Sequence, residues 1–409
     1  MSKRKHFFLI LILGSLTALG PFSIDMYLPG FPAIAKDLHT TVAKVSLSLS
    51  GFFIGISAGQ LLYGPLLDRF GRKKPLYIGL LVYILASIGC AYAHSIDALI
   101  VWRCIQAIGS CAAAVASIAM VRDLFPVEEN AKVFALLMLV VGVSPMIAPT
   151  VGGYVTTAFG WHSVFIVLML LGLVNLLASI FGLPDTYKPD LTLSLKPRPI
   201  LNNFVQVLRE PQFYTYALTG AVAFAGLFAY VAGSPLLFMD IFALSEENYG
   251  WIFAFLSIGL IGASQLNTLM LKKYSSEQLI FAALICQAIT GIIFLTGSIN
   301  GWFGLPATIF LLFIFLSCLG FANPNTSALS LAPFTKNAGS ASALMGATQM
   351  GLGTLASIGV SLFDTHSSLP MVAIMAATSI IALMILFFGR KNIKTKVEID
   401  KDNMGASFH

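Results

Sequence analysis

Apolar runs of about twenty residues follow one another along this chain, with short polar breaks between them. A helix needs about 20 apolar residues to cross the hydrocarbon core of a bilayer. On that rule the pattern predicts spanning helices at 7–28, 45–67, 75–93, 98–121, 131–155 and 164–183. Six more follow at 215–238, 251–271, 279–299, 303–329, 340–363 and 369–388. An even count puts both ends of the chain on one side. The longest polar break divides six helices from six. It predicts an N-terminal bundle at 1–184, a linker at 185–211, a C-terminal bundle at 212–390 and a tail at 391–409. The linker opens with Pro184, Pro189, Pro197 and Pro199, which favour extended backbone. "ILNNFVQVLREP" then sets Ile200, Leu201, Phe204, Val205 and Leu208 at helical spacing. That predicts an amphipathic helix on the membrane surface, with a solvated linker as the open alternative.

Composition agrees with a membrane solvent. The chain is 57% hydrophobic and 10% charged, against about 25% charged in soluble domains. The fold class expected is therefore an all-α membrane protein, with about twelve helices in two six-helix bundles. The net charge of +6 would suit a nucleic-acid partner, but its placement does not. Of the 24 Lys and Arg residues, only Lys36 and Lys44 fall in one set of connections, and Arg103 falls inside a span. The rest lie in the opposite set, beside both termini. That asymmetry predicts cytoplasmic termini and excludes a nucleic-acid footprint. "MSKRKHFFLILILGSLTALG" has the basic start of a signal peptide but no small-residue cleavage site, and reads as an uncleaved first helix. Cys90, Cys104, Cys111, Cys286 and Cys318 sit in apolar runs without metal-ligand spacing and read as small core residues. His6, His39, His94, His162, His366 and His409 fall near helix ends or loops, so the sequence predicts no metal centre.

A faint repeat links "ISAGQL" (56–61) to "IGASQL" (261–266), each in the second helix of its half. Its small residues allow close helix approach. Two charges lie at membrane depth, and intramembrane charges usually face the bundle interior and pair. Asp25 stands in "GPFSIDMYLPGFP", in the outer half of the first helix. Arg103 lies about two turns from the outer start of the fourth. Their depths match, which predicts a shared polar network. A carboxyl that can gain and lose its proton there is a proton-carrier candidate, biased by Arg103.

"GPLLDRFGRKK" (64–74) bridges the second and third helices. Gly64 permits tight packing and Gly71 a sharp turn, while Asp68, Arg69 and Arg72 are placed to form ion pairs with helix ends. Arg72 is expected to meet Asp123. Asp68 is expected to dock on the start of the eleventh helix after "FTKNAG", where free N–H groups carry partial positive charge. Both contacts are expected to form when the inner side closes and to break when it opens. "GVSPMIAPTVGG" (142–153) builds a kinked, close-packing fifth helix from Gly142, Pro145, Pro149, Gly152 and Gly153.

These stretches resemble the major facilitator superfamily. "GPLLDRFGRKK" is similar to its signature loop, and "RCIQAIGSC" to its fourth-helix motif through Arg103, Gln106 and Gly109. "GVSPMIAPTVGG" is similar to the fifth-helix motif of its antiporter branch. "FSIDMYLPGFP", "AGSPLLFMDIF" and "NAGSASALMG" resemble the bicyclomycin-resistance (Bcr/CflA) group of drug:proton antiporters. The resemblance implies proton-coupled efflux of small, largely apolar antibacterial compounds by alternating access. It implies a monomer in the bacterial inner membrane, with protons and drugs as partners and no cofactor. It implies that the fifth helix seals the outer side. It places Phe22, Phe52, Phe53, Met138, Met146, Phe228, Tyr230, Phe253, Asn323 and Gln349 on helices flanking the central cavity. Thr17 and Ser15 stand where some relatives carry a second acid. Two other readings stay open: export of an endogenous metabolite, siderophore or amino-acid derivative, and, less favoured, a membrane-embedded enzyme or receptor. The chain has no Gly-x-x-x-x-Gly-Lys-Ser/Thr loop, which argues against ATP hydrolysis.

Overall fold

A computed structural model describes residues 3–125, 127–184, 189, 204–334, 338–363 and 367–393. Twelve helices in it are long and apolar enough to cross a membrane. The first six are α1 (Lys3–Asp25), α2 (Val42–Phe70), α3 (Lys73–Ala91), α4 (Ile96–Leu124), α5 (Val127–Phe159) and α6 (Trp161–Gly182). The second six are α7 (Pro211–Pro235), α8 (Glu246–Met270), α9 (Ser276–Ile299), α10 (Leu305–Leu331), α11 (Ala338–Ser361) and α12 (Leu369–Gly389). The termini face is the one where α1 begins and α12 ends; the far face lies opposite.

Local chemistry sets the boundaries. Thr41, Ser95, Ser245 and Ser275 accept hydrogen bonds from the first turns of α2, α4, α8 and α9, and Ser275 forms a capping box with Gln278. Gly71 links α2 to α3 with φ +84°, a left-handed conformation that only glycine adopts freely. The sharp turn read from "GPLLDRFGRKK" is therefore present. The first span departs from its prediction. Its α-helix stops at Asp25, passes through a 3-10 turn at Leu28–Gly30, and resumes as a short helix at Phe31–Asp37. Pro29 causes the break. It has no N–H to offer the carbonyl of Asp25, and it disfavours helical backbone at Leu28. In the linker, residues 204–208 are helical. The buried side chain there is Val207, against Phe213, Ala217 and Ala341, whereas Val205 and Leu208 are exposed. The inward face is thus not the one read from the sequence. Residues 185–188 and 190–203 lie outside the described residues.

Small residues bring the first six helices together. α2, α3 and α4 cross where Gly109 of α4 meets the backbone of α3. A Cβ on Gly109 would lie 2.6 Å from the Tyr83 nitrogen and 2.7 Å from the Gly79 carbonyl. In lipid, such crossings take the place of hydrophobic collapse, because the surroundings are as apolar as the helices. α7 packs on α10, α11 and α12 in the second half, and α8 and α9 pack on α10.

Two seams join the halves, α2 with α11 and α5 with α8. The repeated hexapeptides lie one in each seam. At the far end of the first seam the Ser46 and Ser361 hydroxyls bond each other, and Ser50 bonds Ser357 at 2.8 Å. Further in, Ser57 donates to the Ala347 carbonyl at 3.4 Å and Gln60 abuts Gly346. That contact runs about 20 Å along α2. Toward the termini face the seam opens, and a Cβ on Gly64 would meet nothing within 4 Å. α11 packs on both α2 and α7, yet its span is the least buried of the twelve. Along this seam the halves therefore part toward the termini face. The far face is closed.

Gly109→Ala should lower the thermal midpoint in detergent, by the equivalent of about 1–3 kcal/mol, because backbone cannot yield to the added methyl. Gly262→Ala, where a Cβ meets nothing within 4 Å, should match the parent. Equal midpoints for the two variants would show that the α3–α4 crossing is looser than described.

Candidate functional site

Arg103 is completely buried in α4. One guanidinium nitrogen donates to the Ser23 carbonyl at 2.7 Å and another to Gln106 Oε1 at 2.5 Å. The ring of Tyr27 lies 4.1 Å from the guanidinium carbon and that of Phe52 4.2 Å, so the cation is held against two aromatic faces. Gln106 passes the network on, donating to Ser87 at 2.7 Å. The Ser23 hydroxyl bonds Tyr83 at 2.7 Å, and Thr17 bonds Ser117 at 2.8 Å. The break after Asp25 explains the geometry. The last four carbonyls of a helix lack partners within it, and Ser23 supplies one of them. Arg103 therefore caps the C-terminal end of α1, where a cation also complements the helix dipole.

Asp25 is not in this network. Its side chain is 5% exposed and forms no hydrogen bond or ion pair among the described residues. The expected Asp25–Arg103 pairing is corrected on this point: the guanidinium is taken up by a backbone carbonyl and an amide. Asp25 instead lies within electrostatic range of Tyr230 on α7 and Tyr249 on α8.

The end of α1 meets two other helices at the same place. Gly152 of α5 sits against the Met26 carbonyl, closer than any side chain would allow. A Cβ on Gly153 would lie 2.7 Å from the Glu246 carbonyl of α8. A Cβ on Gly250 would lie 2.9 Å from the Pro149 carbonyl. Thr150 donates to the Gly250 carbonyl at 3.3 Å, and Thr157 to Glu246 at 2.9 Å. Further down α5, Gly142 faces Ile261, and Pro145 and Met146 are half-buried. The α5 motif thus forms a backbone-to-backbone seam with α8 beside Asp25. Gly250, its counterpart on α8, went unread because a lone Gly-Trp pair carries no motif.

In the signature loop, Arg72 bridges Asp68 at 2.6 Å and Asp123 at 2.8 Å, and Arg69 lies over Phe70. The Arg72–Asp123 pair was expected only with the inner side closed. It is formed here with the termini face open, since all its members belong to the first six helices. It braces the loop. The expected dock for Asp68 is the start of α11, which begins at Ala338; among the described residues Asp68 bonds Arg72 instead, and residues 335–337 just before that start lie outside the described residues.

The lining candidates divide. Phe52 covers Arg103. Phe53 and Phe228 meet across the halves, ring centroids 4.4 Å apart, and Tyr230 stacks on Phe253 at 5.5 Å. All five are buried, because the far half of the interface is closed. Phe22 is half-buried at the end of α1, and Met138 is exposed on α5. Asn323 and Gln349 bond each other at 3.0 Å. They line a crevice of about 10 Å³ between α7, α10 and α11, with Tyr216, Gly220 and Thr326, which has room for about one water molecule. Among the described residues no three His, Cys, Asp or Glu side chains group closely enough to hold a metal.

Arg103→Ala should leave Gln106 and the α1 end without their donor, each orphaned acceptor costing roughly 1–3 kcal/mol. Arg103→Lys should recover only part of the thermal stability, since an ammonium lacks the planar fork. Full stability of Arg103→Ala in detergent would remove the cap from the account.

The Major Facilitator Superfamily model matches residues 13–358. The chain is 34% identical over 384 residues to "Uncharacterized MFS-type transporter YdgK" of Bacillus subtilis, covering 93% of this chain and 94% of that one. It is 30% identical over 396 residues to "Bicyclomycin resistance protein homolog" of Haemophilus influenzae, covering 96% and 99%. "Multidrug resistance protein MdtL" of Klebsiella pneumoniae is 28% identical over 384 residues, covering 91% and 93%. Among solved structures, a bacterial homolog of the human lysosomal transporter Spinster, inward-facing and occupied, superposes with a TM-score of 0.77 at 13% identity, covering 96% and 98%. A D-xylose-proton symporter gives 0.71 at 14% identity, covering 93% and 97%. The matched length, the twelve spanning helices and the two interlocked halves agree, and the chain is a multi-pass membrane protein that belongs to the Major Facilitator Superfamily.

Proposed function

We propose that the protein exports small, largely apolar antibacterial compounds in exchange for protons, by alternating access. The names of the Haemophilus and Klebsiella relatives support drug efflux. The Lys and Arg asymmetry supports cytoplasmic termini in the bacterial inner membrane, which makes the termini face the inner one. The parted side of the interface then faces the cytoplasm, where a compound to be exported is collected. The Asn323–Gln349 amide pair of the second half offers hydrogen bonds to polar groups of an otherwise apolar compound. The protein acts as a monomer.

One observation carries the proton coupling. Asp25 is buried, without a counter-ion, where α1, α5 and α8 meet. An ionised carboxylate in hydrocarbon surroundings costs about 2.5–3.5 kcal/mol on insertion scales. At this place it has lost its hydration and gained no cation. The neutral acid fits the closed far face, and the charged form favours an arrangement that brings water or a donor to it. Gaining and losing one proton therefore biases the choice between the two conformations. The outward-facing form takes a proton from the outer side and the neutral acid returns inward; release of that proton to the cytoplasm as drug binds turns the charged form outward again, so drug is exported against import of a proton.

Asp25→Asn copies the neutral acid and keeps the packing. Bicyclomycin efflux from proteoliposomes under an imposed pH gradient should fall to the level of empty vesicles, with the thermal midpoint unchanged. Gradient-driven efflux at the parent rate would remove Asp25 from the coupling.

A further inference from the structure

The far half of the interface contains further buried polar groups without a partner, Thr156 of α5 and Tyr230 of α7 among them. Tyr230 of α7 is 1% exposed, and its hydroxyl has no hydrogen bond among the described residues. Its ring stacks on Phe253 of α8, whose own ring lies 5.9 Å from that of Tyr249. Tyr249 is committed: its hydroxyl bonds Ser234 at 2.9 Å. A buried hydroxyl left unpaired destabilises the protein, and phenylalanine would fill the same space without that cost. Packing therefore does not account for tyrosine at position 230. Asp25 lies within electrostatic range of this hydroxyl from the other half of the molecule, and it too lacks a partner.

Most other polar groups near the end of α1 have partners, the exceptions being the Thr156 hydroxyl on α5 and the Nε of Arg103. On its own helix end, Tyr27 covers Arg103 and bonds Ser48 at 3.2 Å. Arg103 of α4 is turned to Ser23 and Gln106. On α5, Tyr154 accepts from Trp251 at 3.4 Å. On α6, His162 lies 3.7 Å from Asp37 at the far face. On α8, Glu246 accepts from Thr157. Of the two hydroxyls within electrostatic range of Asp25, that of Tyr249 is committed to Ser234 and that of Tyr230 has no partner among the described residues.

We propose that Tyr230 is a positioning residue for the proton step, its hydroxyl donating to the Asp25 carboxylate once the proton has left. The donor comes from α7 and the acceptor from α1, so the bond reports protonation in one half to the other. In the closed state both groups wait unpaired. When the interface loosens, a small relative movement joins them and holds the charge that the closed seam rejects. This inference rests on the proton-coupled reading and adds a partner to it.

The test follows opening of the far face against pH, without any drug. A cysteine replaces Ser361, which lies in the far seam, in a chain whose five native cysteines are replaced. Labelling by a membrane-impermeant maleimide is measured in oriented proteoliposomes. The parent should show labelling that rises with pH around a defined midpoint. Tyr230→Phe should move that midpoint upward by about one pH unit or more, because a charged acceptor has lost its donor. Tyr249→Phe, whose hydroxyl serves Ser234, should leave it in place. In an Asp25→Asn chain, Tyr230→Phe should have no effect. A midpoint unmoved by Tyr230→Phe, or a shift that persists in Asp25→Asn, overturns the inference. Labelling of the parent that ignores pH overturns the proton-coupled reading itself.

Discussion

Arg103 carries a charge that cannot be discharged through the driest part of the bundle, and the first half of the protein is arranged around that constraint. A buried guanidinium must have its donors satisfied or it destabilises the fold. Here the Gln106 amide and a backbone carbonyl released where α1 ends accept from its two terminal nitrogens, the rings of Tyr27 and Phe52 cover its faces, and its Nε has no partner among the described residues. Pro29 stops the helix, the stop exposes the carbonyl of Ser23, and Arg103 caps it. Ser87, Tyr83 and Gln106 extend the network across α3 and α4. The end of α1 is thereby fixed in position and direction.

Fixing that end leaves Asp25 at the meeting of α1, α5 and α8 with no cation to face. The halves touch there through backbone, since Gly152, Gly153 and Gly250 carry no side chain to hold them apart. Such a seam closes tightly and has little apolar side-chain surface to lose on parting. Few interactions are needed to tip it, and the state of one carboxyl is of the right size. The two seams also differ in chemistry. The α2–α11 seam closes with paired serines, which lipid would strand if they faced outward, and the α5–α8 seam closes with glycine and carbonyls.

Much of this was legible in the sequence because it rests on local pattern. Twelve apolar runs became twelve spanning helices. Gly71 adopts the turn its motif required, and Arg72 reaches Asp123, although not in the closed arrangement for which the pair was read. The partner of Arg103 was not legible, because it is a main-chain atom freed by a helix break, and any residue at position 23 supplies one. The surroundings of Asp25 were not legible either. Tyr230 and Tyr249 come from the opposite half, and nothing in their spacing points to α1. The aromatic residues assigned to the cavity are ambiguous for a third reason. Phe52, Phe53, Phe228, Tyr230 and Phe253 are of types that line ligand sites and of types that fill seams, and only the closed far face separates the two uses.

The account stands on Asp25 being a neutral acid, apart from Arg103, while the far face is closed. Infrared difference spectroscopy of the parent and Asp25→Asn, held in the closed form near neutral pH, measures this directly. The account predicts a protonated carboxyl carbonyl band in the parent that vanishes in Asp25→Asn and is untouched by Gln106→Ala. An ionised carboxylate band for Asp25 in the closed form, sensitive to changes around Arg103, would contradict it.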